Sequence, residues 1–139
     1  MAIFVEKNIF DKTLQNPPKV GKNLLDPLKS FFEDTGFPVR ILEDSEVIND
    51  AEIHEHEGDL WQCLEGEATF VCGGKLNGLR QSEKNPSEWK GSGIEGGEEY
   101  VLKPGDWLWI PPGEPHLHKA EGTARLLVIK IPSDYKSNK

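Results

Sequence analysis

The chain has 139 residues, a net charge of −8, 36% hydrophobic and 29% charged side chains. This is the composition of one globular domain, neither a disordered tail nor a membrane protein. With 24 acidic residues against 16 basic ones, and Arg40, Arg80 and Arg125 as its arginines, the chain is not expected to bind nucleic-acid phosphates or an anionic membrane surface. Its longest apolar runs, such as Trp107–Ile110, fall far short of the roughly 20 residues of a spanning helix. Cys63 and Cys72 do not make a disulfide framework. No signal-peptide pattern opens the chain, so a cytoplasmic protein with reduced thiols is expected.

Residues 1–22, with Pro17-Pro18 and Gly21, read as an extended arm or loop, free or packed on a partner subunit. Over 24–35, Leu24, Leu25, Leu28, Phe31 and Phe32 recur at helical spacing. Asp26-Pro27 fits the start of that helix and Gly36 its stop. From Phe37 onward the pattern becomes short strands between Gly/Pro turns: Val39–Leu42, Ala51–His56, Asp59–Leu64, Glu67–Cys72, Glu99–Leu102, Trp107–Ile110, Glu114–His118 and Arg125–Ile131, with Glu121-Gly122 read as the last turn. About eight such strands indicate an all-β sandwich or barrel. The expected organisation is an N-terminal arm and short helix packing on the barrel over 1–38, the barrel over 39–132 and a tail over 133–139. Residues 73–98 interrupt the strand rhythm and read as a functional or mobile loop, or a hidden hairpin. Within them, Gly91-Ser92-Gly93-Ile94-Glu95-Gly96 matches a dinucleotide fingerprint in form only, since a strand pattern and acidic residues follow where a helix is needed. It reads as a flexible loop and a candidate pocket lid.

All four histidines fall in two pairs, His54/His56 and His116/His118. In a strand, the i, i+2 spacing puts both members of a pair on one face. Two facing strands would then gather up to four imidazoles, a donor set suited to a transition metal. Of the carboxylates around the first pair (Glu52, Glu55, Glu57 and Asp59), Glu57 and Asp59 are the candidate oxygen ligands, while Glu55 points to the opposite face.

The segment Ile53–Gly66 resembles the first motif of the cupin superfamily, His-x-His followed by an acid and a glycine. Gly105–His116, with its Pro111-Pro112-Gly113 turn, resembles the second. The resemblance covers roughly residues 39–131 and implies a cupin-type double-stranded β-helix, a jelly-roll barrel, forming a homodimer and holding one divalent transition metal (Fe, Mn, Ni or Zn). The ligands it carries over are His54, His56 and His116, with Asp59 at the carboxylate position, seven residues before Gly66. Only two residues separate His56 from Asp59, fewer than the family's three or four, and Ala120 replaces the closing Asn of the second motif. His118 is the candidate to complete the site if Asp59 does not; Gln62 is weaker, since its parity opposes Asp59.

Strand parity puts Trp61 and Cys63 on the face of Asp59, and Trp107 and Trp109 together on one face. The tryptophans read either as an aromatic wall for an organic ligand or as ordinary core or dimer-interface residues. Cys63 reads as a small buried residue or a group near the metal. No hydrolase nucleophile elbow is present. The expected function is a metal-dependent enzyme acting on a small organic molecule, of dioxygenase type, with an isomerase or lyase, or a non-catalytic binding or sensing module, as alternatives.

Overall fold

The structure is a computed structural model that describes residues 1–134; the remainder of the expected tail, 135–139, lies outside the described residues. Two helices and twelve strands follow one another as α1 (Lys7–Thr13), β1 (Gly21–Leu24), α2 (Leu28–Thr35), β2 (Val39–Ile48), β3 (Ala51–His54), β4 (Glu57–Glu65), β5 (Ala68–Cys72), β6 (Lys75–Asn77), β7 (Arg80–Gln81), β8 (Glu88–Gly91), β9 (Gly93–Glu95), β10 (Glu98–Leu102), β11 (Trp107–Ile110) and β12 (His116–Pro132). The architecture is the all-β jelly roll, antiparallel throughout.

Its spine is β12. The first half of β12 pairs with β5 and touches β3, and the second half pairs with β2 and β4. Glu121-Gly122, expected as a turn, is absorbed into this single strand as a register shift between Ala120 and Thr123. A bulge bends a strand without ending its pairing, which lets one strand serve both walls. The expected loop over 73–98 is not irregular either: β6 pairs with β9, and β7 and β8 extend the main sheet beyond β3. Gly91–Gly96, read as a flexible loop, carries the end of β8 and the whole of β9.

Alternation along β2 shows how the layers form. Val39 and Ile41 face outward under α2, joining Leu25, Leu28 and Phe32 in one apolar cluster. Leu42 faces the barrel interior with Trp61, Cys63, Phe70, Leu126 and Val128. A period of two separates the two cores on one strand. The helix over 24–35 is shorter than its sequence pattern: Leu24 pairs in β1 with Leu42, and α2 begins at Leu28. Pro27, expected as its first residue, is its N-cap instead, and the Asp26 carboxylate just before it accepts from the Ser30 backbone N–H at 3.0 Å. Gly36 ends it in the left-handed conformation, φ 67°.

The N-terminal arm is folded where an extended arm or loop was expected. α1 lies on the same chain's barrel, fixed by fully buried Thr13, whose hydroxyl accepts from the Leu28 N–H and donates to the Ile9 carbonyl. Its weak amphipathic signal over seven residues explains why the sequence pattern does not reveal it. Among the described residues no helix is long and apolar enough to cross a membrane.

Candidate metal centre

β3 lies between β8 and the start of β12. Glu52 is directly opposite His116 on one side and Lys90 on the other, and His54 is opposite Glu88. β4 supplies Asp59. Four side chains meet there at one end of the barrel. Nε2 of His54 is 3.4 Å from Glu52 Oε2 and 3.6 Å from Asp59 Oδ2, and Nε2 of His116 is 3.5 Å from the same Asp59 oxygen. The two imidazole rings lie 5.0 Å apart. Glu52, His54 and His116 offer ligand atoms close enough together to share one ion.

The outer nitrogens of both rings are already engaged. His116 Nδ1 donates to the Glu114 carbonyl at 3.0 Å, and His54 Nδ1 lies 3.1 Å from Glu88 Oε1. A carbonyl can only accept, so His116 carries its proton on Nδ1; a carboxylate partner fixes His54 in the same way. Each ring then turns the lone pair of Nε2 toward Asp59. Burial holds the His116 pKa below its usual value, against the pull of the Glu114 carbonyl and the nearby carboxylates, and so favours the neutral ring a metal requires. Burial works to raise the Glu52 pKa, but the hydrogen bond from Lys90 and the charges of Lys22 and Lys90 outweigh it and hold the acid at about 2. Asp59 is 1% exposed; its Oδ1 accepts from Lys130 Nζ at 2.7 Å, while Oδ2 has no hydrogen-bond partner. A buried, unpartnered carboxylate oxygen facing two imidazole lone pairs is costly alone and is satisfied by a cation. The donor set therefore fits a divalent metal.

The expected site residues divide sharply. His54, Asp59 and His116 come together. His56 does not join them: β3 ends at His54, the chain bends at Glu55-His56, and His56 is exposed with its carbonyl held by the Ser133 N–H. The shared face that an i, i+2 pair would have in a strand is lost at that bend. His56 instead lines a small surface pocket of about 110 Å³ with Glu57 and Glu88. Glu52, not singled out as a ligand in the sequence, takes the i−2 position relative to His54. Counting back from Gly66 reveals it: residues 55–58 give the usual four-residue gap between His54 and Asp59, so His54 is the second member of the first motif and Glu52 stands at the first. The short gap after His56 came from a register two residues too late.

His118 shares the inward face with His116 but serves the core. Its Nδ1 makes a short contact with fully buried Asp44, and its ring packs on Trp61 and Phe70 at 4.9 and 5.3 Å. Asn49 completes the network, donating to Asp44 and to the His118 carbonyl. Trp61 and Cys63 are buried on the face of Asp59, in the apolar core. The Cys63 thiol points to the carbonyls of Glu65 and Gly66, and burial raises its pKa. Trp107 and Trp109 do not line the interior. Their register partners on β4 are Gln62 and Leu60, on the outward face, and they are 55% and 46% exposed. Trp109 lies so close over Gly58 that any side chain there would strike its ring.

A family model described as "Cupin domain" matches residues 91–130. No curated protein matches the chain. Among solved structures it is similar to YcfD of Escherichia coli, described as a ribosomal oxygenase, at 17% identity, covering 89% of this chain and 35% of that one with a TM-score of 0.56. It is also similar to a predicted oxalate decarboxylase of Thermotoga maritima, at 15% identity over 80% of this chain and 78% of that one (TM-score 0.49). For the Clostridium difficile EutQ protein the identity is 13%, with coverage of 70% and 57% and a TM-score of 0.45. The chain spans little more than a third of YcfD and under two thirds of EutQ. At these identities the likeness to YcfD is one of fold. The domain match over residues 91–130 agrees with the jelly-roll fold, and over that stretch the chain is similar to cupin domains.

Proposed function

We propose that Glu52, His54, Asp59 and His116 hold one divalent transition metal and that the protein is a metal-dependent enzyme acting on a small organic molecule, of dioxygenase type. The observation that carries this reading is the orphaned Oδ2 of Asp59, buried between the Nε2 atoms of two histidines whose other nitrogens are engaged. Two imidazoles and two carboxylates suit Fe, Mn, Ni or Zn, with metal supply as well as affinity deciding which is found. When bound, such an ion supplies a Lewis acid with positions left for a small oxygen donor. The chain's own part is to fix that ion's surroundings. Glu88 and the Glu114 carbonyl orient the rings, and Trp61, Phe70 and His118 pack on one another in the barrel interior. The oxygenase described for YcfD supports oxygen chemistry by analogy of fold alone. Two free, buried thiols fit a reducing compartment, which supports the cytoplasmic part of the reading; the homodimer rests on the cupin resemblance alone.

The test is elemental analysis of untagged protein, followed by oxygen uptake of the Fe(II)-loaded form against a panel of small organic acids and alcohols. Near-stoichiometric metal, lost in His116→Ala, with substrate-dependent oxygen uptake is the expected result. Metal without oxygen uptake would leave an isomerase, a lyase or a binding module. No uptake of Fe, Mn, Ni or Zn would reject the metal centre.

A further inference from the structure

Both acid groups of the cluster are held by a lysine directly across the sheet. Lys130 on β12 is the register partner of Asp59 on β4, and its Nζ donates to Oδ1 at 2.7 Å. Lys90 on β8 is the register partner of Glu52 on β3, and its Nζ donates to Oε1 at 2.9 Å. In each carboxylate the other oxygen faces the histidines, at 3.4–3.6 Å from Nε2. An exposed cross-strand pair is worth little and holds nothing in place. Here Asp59 is sequestered at 1% exposure and Lys130 is 16% exposed, with Glu57 at 3.7 Å as its second acidic neighbour, while Glu52 and Lys90 are half-buried at 24% and 35%. A charge-assisted bond of this kind is short and strong, and it occupies the oxygen that a carboxylate needs to chelate a metal through both atoms.

We infer that Lys90 and Lys130 are positioning residues that hold Glu52 and Asp59 to one donor oxygen each, so that coordination positions stay free for an exogenous anionic or oxygen ligand. The inference rests on the metal reading above. Two nitrogens and two oxygens are fewer donors than the roughly six an octahedral Fe(II), Mn(II) or Ni(II) ion takes. Two chelating carboxylates would close that difference. The same device on two different strand pairs makes the outcome a property of sheet register rather than of one rotamer.

The experiment loads metal-free protein with Co(II), follows its visible absorption, and titrates azide into wild type, Lys130→Met, Lys130→Gln, Lys130→Arg and Lys90→Met, with circular dichroism to verify the fold. The Met variants are expected to keep Co(II) but to bind azide about tenfold more weakly or worse, the scale on which outer hydrogen-bond partners act. The Arg and Gln variants retain a donor to Asp59 Oδ1 and are expected to restore azide binding, separating the hydrogen bond from the charge. Folded Met variants that lose Co(II), or that bind it with azide affinity within about twofold of wild type, would overturn the inference and leave the metal centre standing. Wild type that takes up no Co(II) would overturn the metal reading, and this inference with it.

Discussion

Of the polar clusters buried among the described residues, two end differently. In one, Arg125 clasps Glu43 through Nε and a terminal nitrogen at 3.0 and 2.8 Å, its guanidinium also donates to the Leu14 and Asn16 carbonyls, and the second Glu43 oxygen accepts from the Lys19 N–H at 2.9 Å. Glu43 and Arg125 are 0% and 3% exposed, and all their partners lie within the chain. In the other, His54, Asp59 and His116 are buried and Glu52 is half-buried, but their engaged atoms point outward and their free lone pairs point at one another. The first is closed and binds the N-terminal arm to its own barrel. The second is open toward its centre, and the proposed metal site rests on that arrangement. Buried charge alone therefore does not identify function; the direction of the unsatisfied atoms does.

The largest effect should come from breaking the closed cluster. Arg125→Met leaves Glu43 buried without its counter-charge and should cost about 3–5 kcal/mol in a urea melt. Adding Glu43→Met should restore part of that loss, not all, because the Leu14 and Asn16 carbonyls and the Lys19 N–H stay unpaired. In the open cluster the order reverses. His54→Ala and His116→Ala should change metal-free stability by only about 1–2 kcal/mol, while metal affinity falls by more than the roughly 10–100-fold that an outer partner contributes. Equal losses of stability in the two clusters would erase the distinction between them.

A pH series sharpens the same contrast. The His116 pKa is lowered from its usual 6.5 in the folded state, so the unfolded chain binds that proton first and metal-free stability should fall as pH drops below about 6.5. Glu52 is held at about 2 against a usual 4.5. Its contribution is present above about 4.5 and is lost between there and about 2. Glu52→Gln should flatten that lower step and leave the upper one, as read by thermal melts across pH. The smallest effect belongs to the start of α2: Ser30→Ala removes the hydroxyl bond to Asp26 and keeps the backbone one, so the melting temperature should fall by no more than a few degrees.

Much of this was legible in the sequence. Strand alternation and Gly/Pro turns indicated the β-barrel, and the paired histidines with a spaced acid and glycine pointed to His54, Asp59 and His116. The ring of His56 depended on one more residue of strand, and the bend after His54 is fixed by tertiary hydrogen bonds from Glu55 and Ser133 that no local pattern encodes. The faces of Trp107 and Trp109 depended on which residues of β4 they oppose, a matter of pairing register. Lys90 and Lys130 look like ordinary surface lysines until β8 and β12 set them opposite Glu52 and Asp59. Expecting Glu52 only required counting the first motif back from Gly66.

That register is the central claim, and Co(II) titration of His54→Ala beside His56→Ala tests it most directly. The account predicts that His56→Ala binds Co(II) as wild type does, while His54→Ala, still folded, does not. Loss of Co(II) in His56→Ala with retention in His54→Ala would contradict it, and would return the first motif to the later register.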